Sequence, residues 1–466
     1  MIVRHRWLSL GFVVLVLAVA THWPVRKGFF QTDDFIWLHL ANWRSVAESF
    51  VGNQGSNLAY RPIFRLSTYL DVLVFGRNAA AWHFENVVWH ASNALLLAAL
   101  LRAYRLPFSL ASGAAILFVL APLSGESVNW ISGRGSLLCF TFMLLSLWRW
   151  TVALHDGRRP WAALFWMVLA GMTYEAAIAL PAVLVCLTPL ACRRFALDPW
   201  LAARQAGLAI GTFVGFWLVR SAFLGTLTGE VGSANSDLAG NFLSHMQALG
   251  VFAQLLAGKG SLLLLSAATA ICLLSPRLRP AGAALLLIAV ILMLPYSTVI
   301  GIGGRYFYML QAPVCVIAVL PALLVPKSAG GPTIVLLLAL VLPKFAASDL
   351  HEAFSFTRAG TSTEALIGAV LKAIPSNDGA SNVVDNVPDF DNGQMMMGDF
   401  FELCIGDFYE AAPAPWIART EAVLRNKTVL HDVLSRPAHF WQYDPETRSL
   451  LPLDRRAWLE AHPETL

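Results

Sequence analysis

The sequence predicts an all-α polytopic membrane protein with about eleven transmembrane helices, N-terminus in and C-terminus out, followed by a small soluble C-terminal α/β domain. Three observations carry this expectation. Of the 466 residues, 57% are hydrophobic and 13% charged, whereas a soluble globular domain carries about 25% charged residues. The apolar residues come in continuous runs of roughly 16 to 22, and about 20 such residues span the ~30 Å hydrocarbon layer as a helix. From Asp349 onward no such run occurs. This composition excludes soluble enzymes and disordered chains. Outer-membrane barrels are excluded as well, because they read as ~10-residue alternating strands.

The runs lie near 7–24, 81–101, 107–123, 135–154, 160–174, 176–191, 201–223, 260–275, 280–300, 306–325 and 331–347. With the N-terminus inside, the inner loops hold Arg102, Arg105, Arg158, Arg159, Arg193, Arg194, Arg277, Arg279 and Lys327 against only Asp156 and Asp198, which is the positive-inside pattern. Every other acidic residue ahead of the tail then falls outside: Asp33, Asp34, Glu48, Asp71, Glu85, Glu126, Glu175, Glu230 and Asp237. Arg4 and Arg6 before an apolar stretch also fit a cleavable secretory signal. That stretch continues to Pro24, however, and an odd number of spans keeps the acids together, so the first helix is expected to be retained. Outside the spans, Pro62 to Phe75 repeats apolar residues at helical spacing, as an interfacial helix does, and Phe242 to Leu256 does so less strongly.

The division expected is a transmembrane unit over 1–348 and an extracytoplasmic unit over 349–466. The latter carries 18 acidic and 9 basic residues against a whole-chain net charge of +4. Within it, Thr363 to Ile374 reads as a helix stopped by Pro375, and Phe440 to Tyr443 with Ser449 to Leu453 reads as two strands around an Asp-Pro-Glu-Thr turn. Cys404 is its only cysteine, and no Cys or His spacing suggests a metal.

Polar residues cluster at the outer ends of the spans. Thr32-Asp33-Asp34 opens the first outer loop, where two close carboxylates either cap a helix or share a raised pKa suited to a general base. Tyr60-Arg61-Pro62, Glu126 through Arg134, Thr173-Tyr174-Glu175 and Gly304-Arg305-Tyr306-Phe307-Tyr308 follow. Arginine on this side suits a lipid phosphate, since its planar fork binds phosphate oxygens bidentately, although it can equally snorkel to the interface. His83 and His90, seven residues apart on one helix face, read more readily as packing residues than as metal ligands, and His39 reads as exposed. Asn426-Lys427-Thr428 matches a glycosylation acceptor.

Taken in order, Thr32-Asp33-Asp34, Tyr60-Arg61-Pro62 with the Trp82 to Leu95 helix, Glu126 to Arg134 with Leu137-Leu138, and Arg305 to Tyr308 resemble the membrane half of the GT-C superfamily of polytopic glycosyltransferases, especially the tetratricopeptide-repeat O-mannosyltransferase group. The resemblance covers about residues 25 to 310. It implies a polyprenyl-phosphate monosaccharide donor used on the non-cytoplasmic face, Asp33 or Asp34 as catalytic base, and Arg305 on the donor phosphate. The chain departs from the family pattern in having Tyr174 before Glu175 where lysine is usual, Ala121 to Ser124 in place of a His-containing approach to Glu126, and no repeats after the spans.

The expected activity is inverting transfer of a monosaccharide, mannose or similar, to a hydroxyl of an acceptor glycan, lipid or protein. The catalytic candidates are Asp33, Asp34 and Glu126, the phosphate-binding candidates are Arg305, Arg61 and Arg134, and Glu175, Tyr306 and His83 are further site candidates. The expected partners are the lipid-linked donor and membrane lipids, with no nucleic acid and no cofactor beyond the donor; a divalent metal has no support in the residues. The expected location is a bacterial inner membrane with the site facing the periplasm, or the endoplasmic reticulum membrane facing the lumen. A transporter or flippase of lipid-linked sugars is the rival reading. It would place ionisable groups near the bilayer centre, where this chain puts only His90.

Overall fold

The computed structural model describes residues 2–52, 59–227, 238–254, 258–298, 303–374, 377–391, 394–396, 405–408 and 414–463. Glu230, Asp237, Pro375 and Cys404, invoked above, lie outside the described residues. Helices dominate because a segment in lipid must satisfy its own backbone N–H and C=O groups.

In chain order the helices that build the membrane part are α1 (Ile2–His22), α2 (Asp34–His39), α3 (Trp43–Val51), α4 (Pro62–Phe75), α5 (Ala79–Ala103), α6 (Phe108–Val119), α7 (Gly125–Asn129), α8 (Arg134–His155), α9 (Trp161–Gly171), α10 (Leu180–Phe195), α11 (Pro199–Leu224), α12 (Leu238–Phe252), α13 (Gly258–Leu274), α14 (Arg279–Met293), α15 (Gln311–Val319) and α16 (Lys327–Ala373). Among the described residues seven helical stretches are long and apolar enough to cross a membrane: Arg4–Lys27, Ala79–Ala103, Ile131–His155, Glu175–Phe195, Pro199–Leu224, Arg279–Ser297 and Lys327–Ala373. The other four predicted runs fall on shorter apolar helices, Phe108–Val119, Trp161–Gly171, Gly258–Leu274 and Gln311–Leu323. Helices of 11 or 12 residues such as α9 and α6 rise only about 17 Å, well short of the ~30 Å core. The predicted interfacial helix is α4, with Pro62 at its first position, where the missing N–H costs nothing.

The bundle is tied together by polar contacts as well as packing. His90 on α5 shares a hydrogen bond with the Tyr308 hydroxyl (2.9 Å) and another with the Val119 carbonyl (3.1 Å). Asn93, one turn on, donates to the Leu137 carbonyl and to Tyr308, and accepts from Thr141. These bonds fasten α5 to α6, α8 and the segment before α15, the usual use of buried polar side chains between helices in lipid.

Helix α16 has 47 residues and runs on far beyond one bilayer thickness, about 70 Å at 1.5 Å per residue. The boundary expected between 348 and 349, and the separate helix expected at Thr363, both fall inside it. Beyond it a sheet forms in the order β4 (Ile417–Arg419), β1 (Ser381–Asp385), β5 (Ala438–Asp444), β6 (Ser449–Leu453), with a small β2 (Phe390–Asp391) and β3 (Gln394–Met395) pair beside it. Strand β1 is parallel to both neighbours. The predicted hairpin is β5–β6, antiparallel from Phe440↔Leu453 to Asp444↔Ser449. Along β1 the faces alternate, as strand geometry requires. Val383 packs with Phe440 and Trp458 under α17 (Thr420–Arg425), α18 (Lys427–Ser435) and α19 (Arg455–Ala461), while Val384 packs with Leu366 and Val370 of α16. Asn426 spends its side-chain oxygen on the N-cap of α18.

The expected orientation gives a direct test. Asp156, in the turn after α8, and Glu446, in the β5–β6 turn, are on exposed loops. Asp156→Cys and Glu446→Cys should react with a membrane-impermeant maleimide from opposite sides of sealed vesicles; labelling from the same side would overturn the topology.

Candidate active site

The segment after α1 is held from both sides. Gln31 donates through Nε2 to the Phe356 carbonyl on α16 (2.7 Å), and the Thr32 amide donates to the Met396 carbonyl (2.6 Å). The approach to α16 is so close that a Cβ at Gly360 would lie 2.5 Å from the Phe29 nitrogen. Thr32 has φ 45°, a left-handed conformation that β-branched residues rarely adopt. The two aspartates that follow it have different surroundings.

Asp34 turns inward and is 1% exposed. Its Oδ1 accepts from the amide (2.8 Å) and hydroxyl of Ser132, and its Oδ2 accepts from the Gln31 amide (3.0 Å). Burial pushes it up to about 7, against these same hydrogen bonds, which favour its charged form. Asp33 stands at the N-cap of α2 but makes no side-chain capping bond, so the capping reading does not hold for it. Burial raises its pKa too, and the Arg305 and Arg61 guanidiniums pull it partly back.

Each of those two arginines is held in an ion pair with another acid. Arg305 pairs with Glu126, which also accepts from the Arg305 amide (3.1 Å); its guanidinium lies 4.8 Å from the ring centres of both Trp130 and Tyr306 and donates to the Tyr306 hydroxyl (3.1 Å). Gly303 permits this, since a Cβ there would meet Glu126 at 2.9 Å. Arg61 grips Glu175 through Nε (2.9 Å) and Nη2 (2.8 Å) and covers the Tyr174 ring at 4.7 Å. All four charged side chains stay 17–31% exposed, so the pairs line a surface a ligand can reach.

The remaining candidates are placed elsewhere. Arg134 is withdrawn from the site. It is fully buried, ion-paired with Asp71 and Glu85, and hydrogen-bonded to Asn86 and the Trp82 carbonyl, so it braces α4, α5 and α8. His83 is buried against Gly28, with His22 nearby on Asn129. Among the described residues no group of three His, Cys, Asp or Glu could hold a metal.

Two residues went unnoticed in the sequence. Arg220, near the end of α11, is 1% exposed, with its guanidinium 4.3 Å from the Trp217 ring centre, no hydrogen bond among the described residues, and a distant approach to Glu175 (3.9 Å). The signal was a lone arginine inside an apolar run. Glu352 of α16 lies against Gly125, directly behind Glu126. In the sequence it is one acid among the 18 from Asp349 onward.

In overall fold the chain is similar to the crystal structure of ArnT from Cupriavidus metallidurans bound to undecaprenyl phosphate, at 15% sequence identity and a TM-score of 0.49, over 95% of this chain and 93% of that one. The apo state of the same protein gives the same values. No family model and no curated protein matches the sequence.

The two aspartates should separate on mutation. Asp34→Asn puts an amide N–H against one of the donors that converge there, and loss of hydrogen bonds to a charged group costs about 1.5–3 kcal/mol. Thermal unfolding in detergent should therefore show Asp34→Asn clearly destabilised and Asp33→Asn close to the wild type. The reverse ranking would assign the structural role to Asp33.

Proposed function

We propose that the chain is an integral-membrane glycosyltransferase that moves one sugar from a polyprenyl-phosphate carrier to an acceptor hydroxyl on the non-cytoplasmic side. The observation that carries this is a carboxylate free of capping bonds, Asp33, that feels the charges of Arg305 and Arg61, each of which is paired, among the described residues, with a part-exposed acid. An apolar cavity of about 520 Å³ lies between α6, α12, α13, α14, α15 and α16, and its lining includes Leu123 and Leu310, close in the chain to Glu126 and Arg305. Such a cavity suits a prenyl tail whose phosphate ends beside Arg305.

In this reading the acceptor hydroxyl attacks the anomeric carbon while the carbon–oxygen bond to the phosphate breaks, which inverts the centre. Asp33 takes the hydroxyl proton. The leaving phosphate gains charge as the bond breaks, and fixed guanidiniums there stabilise the transition state more than the ground state. Glu126 and Glu175 hold Arg305 and Arg61 in place before the donor arrives. The sugar proposed is mannose or similar, and the acceptor a glycan, lipid or protein. Transport of the carrier gains nothing from the interior polar network, whose members are bonded to one another and to helix carbonyls.

Three measurements test the proposal. Mass spectrometry of envelope glycans from cells lacking the gene should show a missing sugar, restored by the wild type but not by Asp33→Asn, since loss of a general base costs about 10²- to 10⁴-fold in rate. Restoration by Asp33→Asn would move the base elsewhere. Because the Asp33 pKa is raised, transfer should fail with falling pH at a value above the ordinary carboxylate one of about 3.9. Neutralising Arg61 removes a cation that favours the charged form, so the residual activity of Arg61→Gln should have its acid limb displaced to higher pH; an unmoved limb would count against Asp33 as the titrating base. Finally, Arg305→Lys keeps the charge but loses the planar fork, and should raise the donor concentration needed for half-maximal transfer. Unchanged donor dependence would remove Arg305 from the phosphate site.

A further inference from the structure

A second cavity, of about 730 Å³, opens at the other end of the bundle. Helix α10 starts just after Glu175 and ends at Arg193 and Arg194, about 24 Å away for its 16 residues. Arg277 precedes α14, and Lys327 begins α16. These four cations line the mouth, and the walls behind them are apolar, including Leu101, Leu147, Leu278 and Leu320. The volume lies inside the ~300–1,000 Å³ range of ligand pockets.

Positive-inside charge explains cations at this end but not an apolar chamber beneath them. Arg194 is partly committed, donating to the Tyr104 and Arg105 carbonyls at the end of α5. Arg193, Arg277 and Lys327 are exposed, and among the described residues none has an ion-pair partner. The two acids of this end are engaged, Asp156 with His155 and Asp198 in capping α11. Lys327 also sits at a helix N-terminus that has no side-chain cap, where the macrodipole favours an anion.

We propose that this cavity binds an anionic phospholipid of the leaflet opposite the candidate active site. One acyl chain would fill the space between α5, α8, α10, α14 and α15, and the phosphate would sit among Arg193, Arg277 and Lys327. Basic pockets between membrane helices bind acidic lipid head groups in this way. A zwitterionic lipid would bring its own cation into the same basic mouth and would gain less.

The test is native mass spectrometry of the full-length chain after exchange into nanodiscs containing equal amounts of dioleoyl phosphatidylglycerol and dioleoyl phosphatidylcholine. The wild type should retain phosphatidylglycerol at least tenfold over phosphatidylcholine. The surface double variant Arg193→Gln/Arg277→Gln should lower that retention roughly 25-fold, about fivefold per cation. High salt should weaken the wild-type preference, because exposed charges are screened. Ala281→Trp, on the cavity wall, should remove retained lipid of both kinds without changing the charge of the mouth. Equal retention of the two lipids by the wild type, or retention of phosphatidylglycerol within twofold of wild type in the double Gln variant, would overturn the proposal.

Discussion

Asp34 is a carboxylate taken out of water, and it is tolerated because donors from two separate segments converge on it: the Gln31 amide from its own loop, and the amide and hydroxyl of Ser132 from the stretch before α8. An uncompensated buried charge would cost several kcal/mol, so this convergence fixes where the loop after α1 can lie. With Asp34 facing inward, Asp33, one residue earlier, feels the charges of Arg305 and Arg61. A left-handed threonine costs about 1–2 kcal/mol. Its amide bond to Met396 and the Gln31 bond to Phe356 hold it there. Strain next to the residue proposed to react is where such conformations tend to persist.

Charge compensation organises the rest of the site. Desolvation makes a lone buried charge costly, and a buried ion pair adds little net stability over a well-packed apolar pair. The two part-exposed pairs, Arg305–Glu126 and Arg61–Glu175, are therefore poorly explained as fasteners. They make better sense as preset cations, each oriented by an acid and an aromatic ring and each still accessible. Arg134 shows the contrast. Its guanidinium is surrounded by Asp71, Glu85, Asn86 and the Trp82 carbonyl, and no face of it is left for a ligand. Arg220 lies between these cases, since it is buried, stacked on Trp217 and only distantly opposed by Glu175.

Hydropathy made the apolar helices legible, because a helix in lipid must be continuous and apolar. It could not separate crossings from short helices such as α6 and α9, since run length in sequence includes flanking residues that leave the helix. The outer acids and arginines were legible as a set, because charge clusters at span ends, but their pairings were not. Nothing in the spacing of Arg134 and Arg305 says that one meets Asp71 and the other Glu126, as these contacts join residues 63 and 179 positions apart. The different surroundings of Asp33 and Asp34 were equally hidden, because they come from distant segments, Ser132 for Asp34 and Arg61 and Arg305 for Asp33. The β5–β6 hairpin was readable from a local turn, whereas the parallel partners of β1 come from distant segments and left no local trace.

The acidic tail is tied to the membrane bundle more closely than its composition suggests. Phe30 and Phe35, on either side of the aspartate pair, share one apolar cluster with Trp82 and Ile131 of the bundle, Leu366 and Val370 of α16, and Val384 and Tyr443 of the sheet. Composition changes sharply near Asp349, yet α16 passes through that point without a break, carrying an apolar half into the bundle and a second half over the loop that bears Asp33. A loop gripped only by Ser132 could pivot about that contact. With a second grip from Phe356, Met396 and the shared apolar cluster, its position is fixed on two sides, and preorganisation of that kind is what a base that must meet a hydroxyl within hydrogen-bond reach requires.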